Sequence, residues 1–126
     1  MADPNELLPL TPLSFHLLLA LCAGDNHGYG LMKEVRTRSD GRVNPATGTV
    51  YLALQRLEQA GLVGDAGLEE PVDGRARRRS WRITSFGRTV AQAESQRLLG
   101  LVGLAVDRRL VSREGIESLV NRPAGG

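Results

Sequence analysis

In Thr47-Gly48-Thr49-Val50-Tyr51-Leu52-Ala53-Leu54-Gln55-Arg56-Leu57-Glu58-Gln59-Ala60-Gly61-Leu62-Val63, the residues Val50, Ala53, Leu54 and Leu57 recur at i, i+3, i+4 and i+7. That is the period of one helix face turned to a core. The opposite face presents Gly48, Tyr51, Leu52, Gln55 and Gln59. Gly61 suits the left-handed residue that closes a helix. Leu62-Val63 then reads as a short strand, and Asn44-Pro45 as the helix start upstream, so the helix extends to about Ala60.

Working outward toward the N-terminus, Arg42-Val43 is a short extended piece and Ser39-Asp40-Gly41 ends a preceding helix that begins near Tyr29. Tyr29, Met32 and Val35 share a face of it. Asp25-Asn26-His27-Gly28 reads as a turn. Before it, Thr11 as N-cap and Pro12 at the first helical position open a helix in which Leu13, Leu17, Leu18 and Leu21 recur, with Gly24 at its end. Toward the C-terminus, residues 64–74 are rich in Gly, Asp, Glu and Pro and read as a loop. Arg79 to Thr84 forms a returning strand, with Trp81 and Ile83 on one side and Ser80 and Arg82 on the other. Trp81 is expected to pack the strand onto the core.

Thr84 or Ser85 can cap a fourth helix reaching about Arg109. Roughly 24 residues at ~1.5 Å each would extend about 36 Å. Phe86, Val90 and Ala93 give its first half one apolar side. Leu98-Leu99-Gly100-Leu101-Val102-Gly103-Leu104-Ala105-Val106 is apolar nearly all round, which demands burial on every side. A domain this small cannot supply that, so a second copy of the chain is the expected source. Val90, Leu98, Leu99, Leu101, Val102, Leu104, Ala105 and Val106 are the expected dimerisation residues. A bend at Gly100 is the alternative. Val111-Ser112-Arg113-Glu114 can start a last short helix carrying Ile116, Leu119 and Val120.

This order predicts a mainly α protein with a small β-hairpin: a winged helix-turn-helix plus a long C-terminal dimerisation helix. Residues 1–9 form an N-terminal arm, 10–84 the winged helix-turn-helix, 85–120 the dimerisation helix and short terminal helix, and 121–126 a disordered tail.

Composition narrows the function. The 126 residues are 41% hydrophobic and 24% charged, with a formal net charge of +2. So small a net charge says little about nucleic acid, whereas its distribution says more. Lys33 is the only lysine, and Arg75, Arg77, Arg78, Arg79 and Arg82 fall within eight positions. Beside a strand, such a cluster is either a solvated face or a phosphate-contacting one. Cys22, the single cysteine, lies in an apolar run and reads as a buried thiol in a reducing compartment. The N-terminus lacks the basic region of a signal peptide, and the apolar runs are too short to span a bilayer. A cytoplasmic location is expected, with no membrane partner.

In a helix-turn-helix the second helix enters the major groove by its N-terminal residues. Thr47 and Thr49 then lie where hydroxyls and helix-start N–H groups suit a phosphate oxygen, and Gly48 permits close backbone approach. Tyr51 can pack its ring while its hydroxyl reaches outward. Gln55 can pair with adenine and Leu52 can meet a thymine methyl. Arg56 reaches a phosphate or pairs with Glu58 or Glu34. Arg75, Arg77, Arg78 and Arg79 place positive charge along the wing's return. Asp65, Glu69, Glu70 and Asp73 crowd the tip, so contacts are expected at the strand base. The expected partner is double-stranded operator DNA. A winged-helix module that joins proteins without reading DNA is the alternative.

The stretches Leu10-Thr11-Pro12-Leu13, His27-Gly28-Tyr29-Gly30 through Lys33-Glu34-Val35, Gly48-Thr49-Val50-Tyr51 through Leu54-Gln55-Arg56-Leu57-Glu58, Gly61-Leu62-Val63, and Arg79-Ser80-Trp81-Arg82-Ile83-Thr84-Ser85-Phe86-Gly87-Arg88, taken in order, resemble the PadR family of bacterial transcriptional regulators. The resemblance implies a dimer joined through the helix after the wing, a dyad-symmetric operator and usually repression. Tyr51 matches the tyrosine of the family's recognition helix. Leu52 stands where the family often has a basic residue, and Ser80 where it often has an aromatic one. The short region after the wing is like the family's compact branch.

Catalysis and metal binding have no support in the pattern. His16 reads as a partly buried helix residue and His27 as a capping side chain, and with Cys22 they lack metal-ligand spacing. No cofactor is expected. Some members of the family bind flat aromatic drugs between the dimer helices. This chain has no Trp, Tyr or Phe after Phe86, so an effector is expected to be small and aliphatic, or absent.

Overall fold

The computed structural model describes residues 2–68 and 78–121. Its elements are a 3-10 turn (Pro4–Leu7), α1 (Pro12–Cys22), β1 (Asn26–His27), α2 (Gly28–Arg38), α3 (Thr47–Gln59), β2 (Val63–Leu68), β3 (Arg79–Ile83), α4 (Ser85–Asp107) and α5 (Arg113–Val120). The architecture is mainly helical with a small antiparallel sheet, the winged helix-turn-helix the sequence predicts. The chain divides into two compact units, residues 1–94 and 95–126.

In the first unit the helical stripes meet. Leu17, Leu18 and Leu21 of α1, Leu31, Met32 and Val35 of α2, and Val50, Leu54 and Leu57 of α3 form one buried cluster. Leu62, Val63, Trp81, Val90 and Ala91 complete it. Val90, expected at a dimer contact, is fully enclosed here: the first turns of α4 pack on the protomer's own core, so this valine has no surface to offer a partner. Tyr29 is 42% exposed although Met32 and Val35 are buried. Cys22 is exposed rather than buried. Cys22 is the last residue of α1, at the edge of the face that buries Leu17, Leu18 and Leu21.

Caps fix the helix ends. Thr11 Oγ1 accepts the Ser14 amide at 3.1 Å, and His27 Nδ1 accepts the Gly30 amide at 2.9 Å, so both capping expectations hold. At the end of α3, the Leu62 amide donates to the Leu57 carbonyl and the Gly61 amide to the Glu58 carbonyl, both at 2.9 Å. Gly61 has φ +80°, and the pattern is a Schellman motif with Leu57 and Leu62 both in the core. Thr84, not Ser85, caps α4. Its Oγ1 accepts the Gly87 amide at 2.9 Å and donates to the Gly61 carbonyl at 2.6 Å.

The sheet differs from a simple hairpin. It has three strands in the order β1-β3-β2. Asn26-His27, expected as a turn, pairs with Trp81 and Ser80 on the free edge of β3. With strands on both sides, Ser80 is buried instead of facing solvent. β2 continues through residues expected to be loop, as far as Leu68, with a bulge between Asp65 and Gly67. Gly67 takes φ +96° there, and its amide donates to Asp65 Oδ1 at 2.7 Å; a glycine in the left-handed region makes the bulge possible. α3 begins at Thr47 and not at Asn44-Pro45. Asn44 Oδ1 instead accepts from Arg36 Nε at 2.6 Å, which holds it to α2.

α4 runs unbroken from Ser85 to Asp107 through Gly100 and Gly103, so the helix does not end at Gly100. Glu94 on α4 is buried and accepts the Leu10 amide at 2.7 Å, joining the residue before the α1 cap to this helix. In the second unit, Ser112 Oγ caps α5 through the Gly115 amide at 3.0 Å. Among the described residues, no helix is long and apolar enough to cross a membrane. Residues 122–126 of the expected tail lie outside the described residues.

Candidate nucleic-acid interface

Burial of Val50, Leu54 and Leu57 turns the other side of α3 outward. Thr47, Gly48, Thr49, Tyr51, Leu52, Gln55 and Arg56 are all exposed on it. Leu52 is 48% exposed, an apolar side chain held in water on a helix whose core face is already full. The helix is preceded by Ala46, which provides no side-chain cap. Its first N–H groups therefore lack the partner that Thr11 or His27 supplies elsewhere. The Thr47 hydroxyl is directed at Met32 Sδ, at 3.5 Å. A Cβ built on Gly48 would meet nothing within 4 Å.

Tyr51 is held by α2. A Cβ on Gly28 would lie 2.7 Å from the Tyr51 Cζ atom and 2.9 Å from its hydroxyl oxygen. Gly28 is thus the seat of this ring, and the hydroxyl, expected to reach outward, also lies against Gly28.

Arg78 and Arg79 lie at the base of the returning strand, while Arg75 and Arg77 fall outside the described residues. Arg79 Nη2 is 3.5 Å from Asp65 Oδ2 across the strands, and its guanidinium lies 5.9 Å from the Trp81 ring centroid. Arg78 is 5.4 Å from the ring centroid of Tyr29, and Lys33 Nζ is 5.1 Å from the same ring. Exposed cation–π contacts each contribute about 0.5–1 kcal/mol. Glu34 pairs with Arg38 at 4.0 Å and so is not the partner of Arg56. The grouping of Tyr29 and Lys33 with Arg78 has no signature in the sequence, because it depends on β1 pairing with β3.

The model of the transcriptional regulator PadR-like family matches residues 17–93, more than half of the chain. The chain belongs to this family. The match spans α2, α3, the wing and the first turns of α4, the elements that carry the PadR-like resemblance. PadR-like proteins are transcriptional regulators and not enzymes. The fold is similar to a transcriptional regulator from Clostridium thermocellum, 25% identical, with a TM-score of 0.63 over 76% of this chain and 87% of that one. It is also similar to a PadR family regulator from Clostridium difficile, 21% identical, with a TM-score of 0.64 over 80% of this chain and 100% of that one. PadR from Bacillus subtilis, in complex with operator DNA, shares the fold at 17% identity and a TM-score of 0.57, over 71% of this chain and 48% of that one. No curated protein sequence matches the PadR-like chain.

Among the described residues, no group of His, Cys, Asp and Glu could hold a metal ion.

Proposed function

We propose that this PadR-like chain is a sequence-specific DNA-binding repressor that acts as a homodimer on a dyad-symmetric operator. The exposed face of α3 carries the reading. It sets adaptable hydrogen-bonding and apolar side chains on a helix of the right size for the major groove, behind a helix start with no capping side chain. In this reading Thr47 and Thr49, with the first amides of α3, hold a phosphate. Gln55 reads adenine, Leu52 meets a thymine methyl, and Tyr51 and Arg56 flank them. Arg75, Arg77, Arg78 and Arg79 follow the backbone beside the groove. Residues 10–84 form the DNA-reading part and residues 85–120 the dimerisation part. That Bacillus subtilis PadR, which shares the fold, is found in complex with operator DNA supports the DNA-binding part of this reading.

Leu99, Leu101, Val102 and Leu104 are exposed on the protomer, and Leu98, Ala105 and Val106 are half-buried. Such an apolar run marks an interaction surface, which a second copy would cover. The protein would work in the cytoplasm, where its operator is.

Duplexes selected from a randomised pool by the wild-type protein provide the test, with fluorescence anisotropy over a salt series. Specific binding should be saturable, with a steep salt slope. Gln55→Ala should relax preference at one base pair by about 1–3 kcal/mol, whereas Arg79→Ala should weaken all sequences alike. Salt-sensitive binding to every duplex equally would defeat the reading.

Gly48→Ala separates stability from function. The added methyl meets open space in the protomer, so helix propensity should raise stability by roughly 0.5–1 kcal/mol in urea denaturation. The same methyl would stand between α3 and the DNA backbone, and affinity should fall about tenfold, the scale of one phosphate contact. A stabilised variant with undiminished affinity would place Gly48 away from DNA.

A further inference from the structure

We infer that Tyr29, Lys33 and Arg78 form a phosphate clamp that joins α2 to the base of the wing, a backbone contact separate from that of α3. The inference rests on the DNA reading above and deepens it. Tyr29 stands on the first turn of α2 with 42% of its surface exposed. It adds little to the core, yet two cations converge on its ring, Lys33 at 5.1 Å and Arg78 at 5.4 Å from the centroid.

The fold builds this grouping. Lys33 follows Tyr29 by one helical turn and shares its face. Arg78 arrives from the far side of the chain because His27 pairs with Ser80, which lays the start of the returning strand against the start of α2. Neither cation has a carboxylate partner among the described residues. Glu34 pairs instead with Arg38, and Asp65 with Arg79. Arg79 therefore shares its charge with Asp65, while the neighbouring Arg78 faces the Tyr29 ring.

Two like charges at one exposed ring repel each other, which offsets part of what the two cation–π contacts contribute. Two cations gathered at one exposed ring are instead placed to receive an anion beside it. The ring holds two flexible cations in place beforehand, which reduces the ordering lost when an anion binds, and the start of α2 adds the positive end of a helix dipole. The place favours duplex DNA as the source of that anion. Gly28, next to Tyr29, seats the ring of Tyr51, so the clamp is continuous with the exposed face of α3. The trio lies on α2 and the wing base, beside the outward face of α3 and not on it. It should therefore bind backbone without sequence preference.

The test uses the full-length protein and the wild-type-selected duplex, with a scrambled duplex of equal length beside it. Lys33→Gln and Arg78→Gln should each weaken binding about 5- to 10-fold on both duplexes and lower the salt slope by about 1. Tyr29→Leu should weaken both duplexes as well, with recovery in Tyr29→Phe, which restores the ring alone. Arg38→Gln, at the far end of α2, should leave affinity and slope unchanged, and circular dichroism checks that every variant is folded. If the wild type selects a duplex and both charge variants bind it with wild-type affinity and slope, the clamp is wrong and the DNA reading stands. If Tyr29→Leu alone is without effect, the ring's positioning role falls. If the wild type selects no duplex, the DNA reading fails and the clamp fails with it.

Discussion

Gly87→Ala is expected to destabilise the protein by about 2–3 kcal/mol, against the usual gain of exchanging a helical glycine for alanine. Gly87 lies in the first turn of α4, where the helix backbone meets the end of α3. A Cβ there would collide with the Leu62 carbonyl oxygen, and would lie 3.0 Å from the Leu62 carbonyl carbon and 2.8 Å from Ile83 Cγ1. That oxygen cannot yield freely, because it accepts the Thr84 amide at 3.0 Å. Thr84 in turn caps α4 and donates to the Gly61 carbonyl. One methyl therefore loosens the joint between α3, β2 and α4 together. The thermal midpoint should fall by roughly 10 °C or more. An unchanged or raised midpoint would show that α4 can slide off Leu62 without loss. The contrast with Gly48→Ala is the sharper check, since the same substitution in a neighbouring helix should stabilise.

The helices were legible because each carries its own information. Val50, Leu54 and Leu57 repeat at helical spacing, Thr11 precedes Pro12, and Gly61 stands where a left-handed residue is needed. The strands were less so. Two residues, Asn26 and His27, have no periodicity to read, and they are a strand only because β3 offers them an edge. Gly64-Asp65-Ala66-Gly67 has the composition of a loop, yet it pairs through its backbone, which composition does not record. Asn44-Pro45 carries a sound helix-start signal that loses to a tertiary partner: the Asn44 side chain is taken by Arg36.

The outward face of α3 follows from the inward one, so the sequence alone places Tyr51, Leu52, Gln55 and Arg56 on it. It does not place the support around them. That Gly28 seats Tyr51 requires knowing how α2 crosses α3, and that Arg78 meets Tyr29 requires the β1–β3 register. Val90 shows the converse error. It shares its helix with the apolar run at 98–106, and only the packing of the first unit shows that the core takes it.

The exposed run on α4 leads to the second large expectation. Leu101→Asp combined with Leu104→Asp should convert a dimer into a monomer. These leucines lie one turn apart on one face and are 50% and 55% exposed in the protomer. In a two-fold dimer each substitution acts twice, and each carboxylate would have to be desolvated against an apolar helix. The dimer dissociation constant should rise by more than about 1000-fold, or ~4 kcal/mol, as read by sedimentation equilibrium. Both side chains face solvent in the protomer, so helical content should not change. Operator affinity should then fall by about 10²–10⁴, because a tethered pair of half-site readers gains from effective concentration and a single one does not. A duplex carrying one half-site distinguishes this from a damaged reading head. The variant should bind a lone half-site as well as a wild-type protomer does, since α3 is untouched. A variant that stays dimeric would move the interface off Leu101 and Leu104. A wild type that is monomeric at working concentrations would remove the dyad from the proposal altogether.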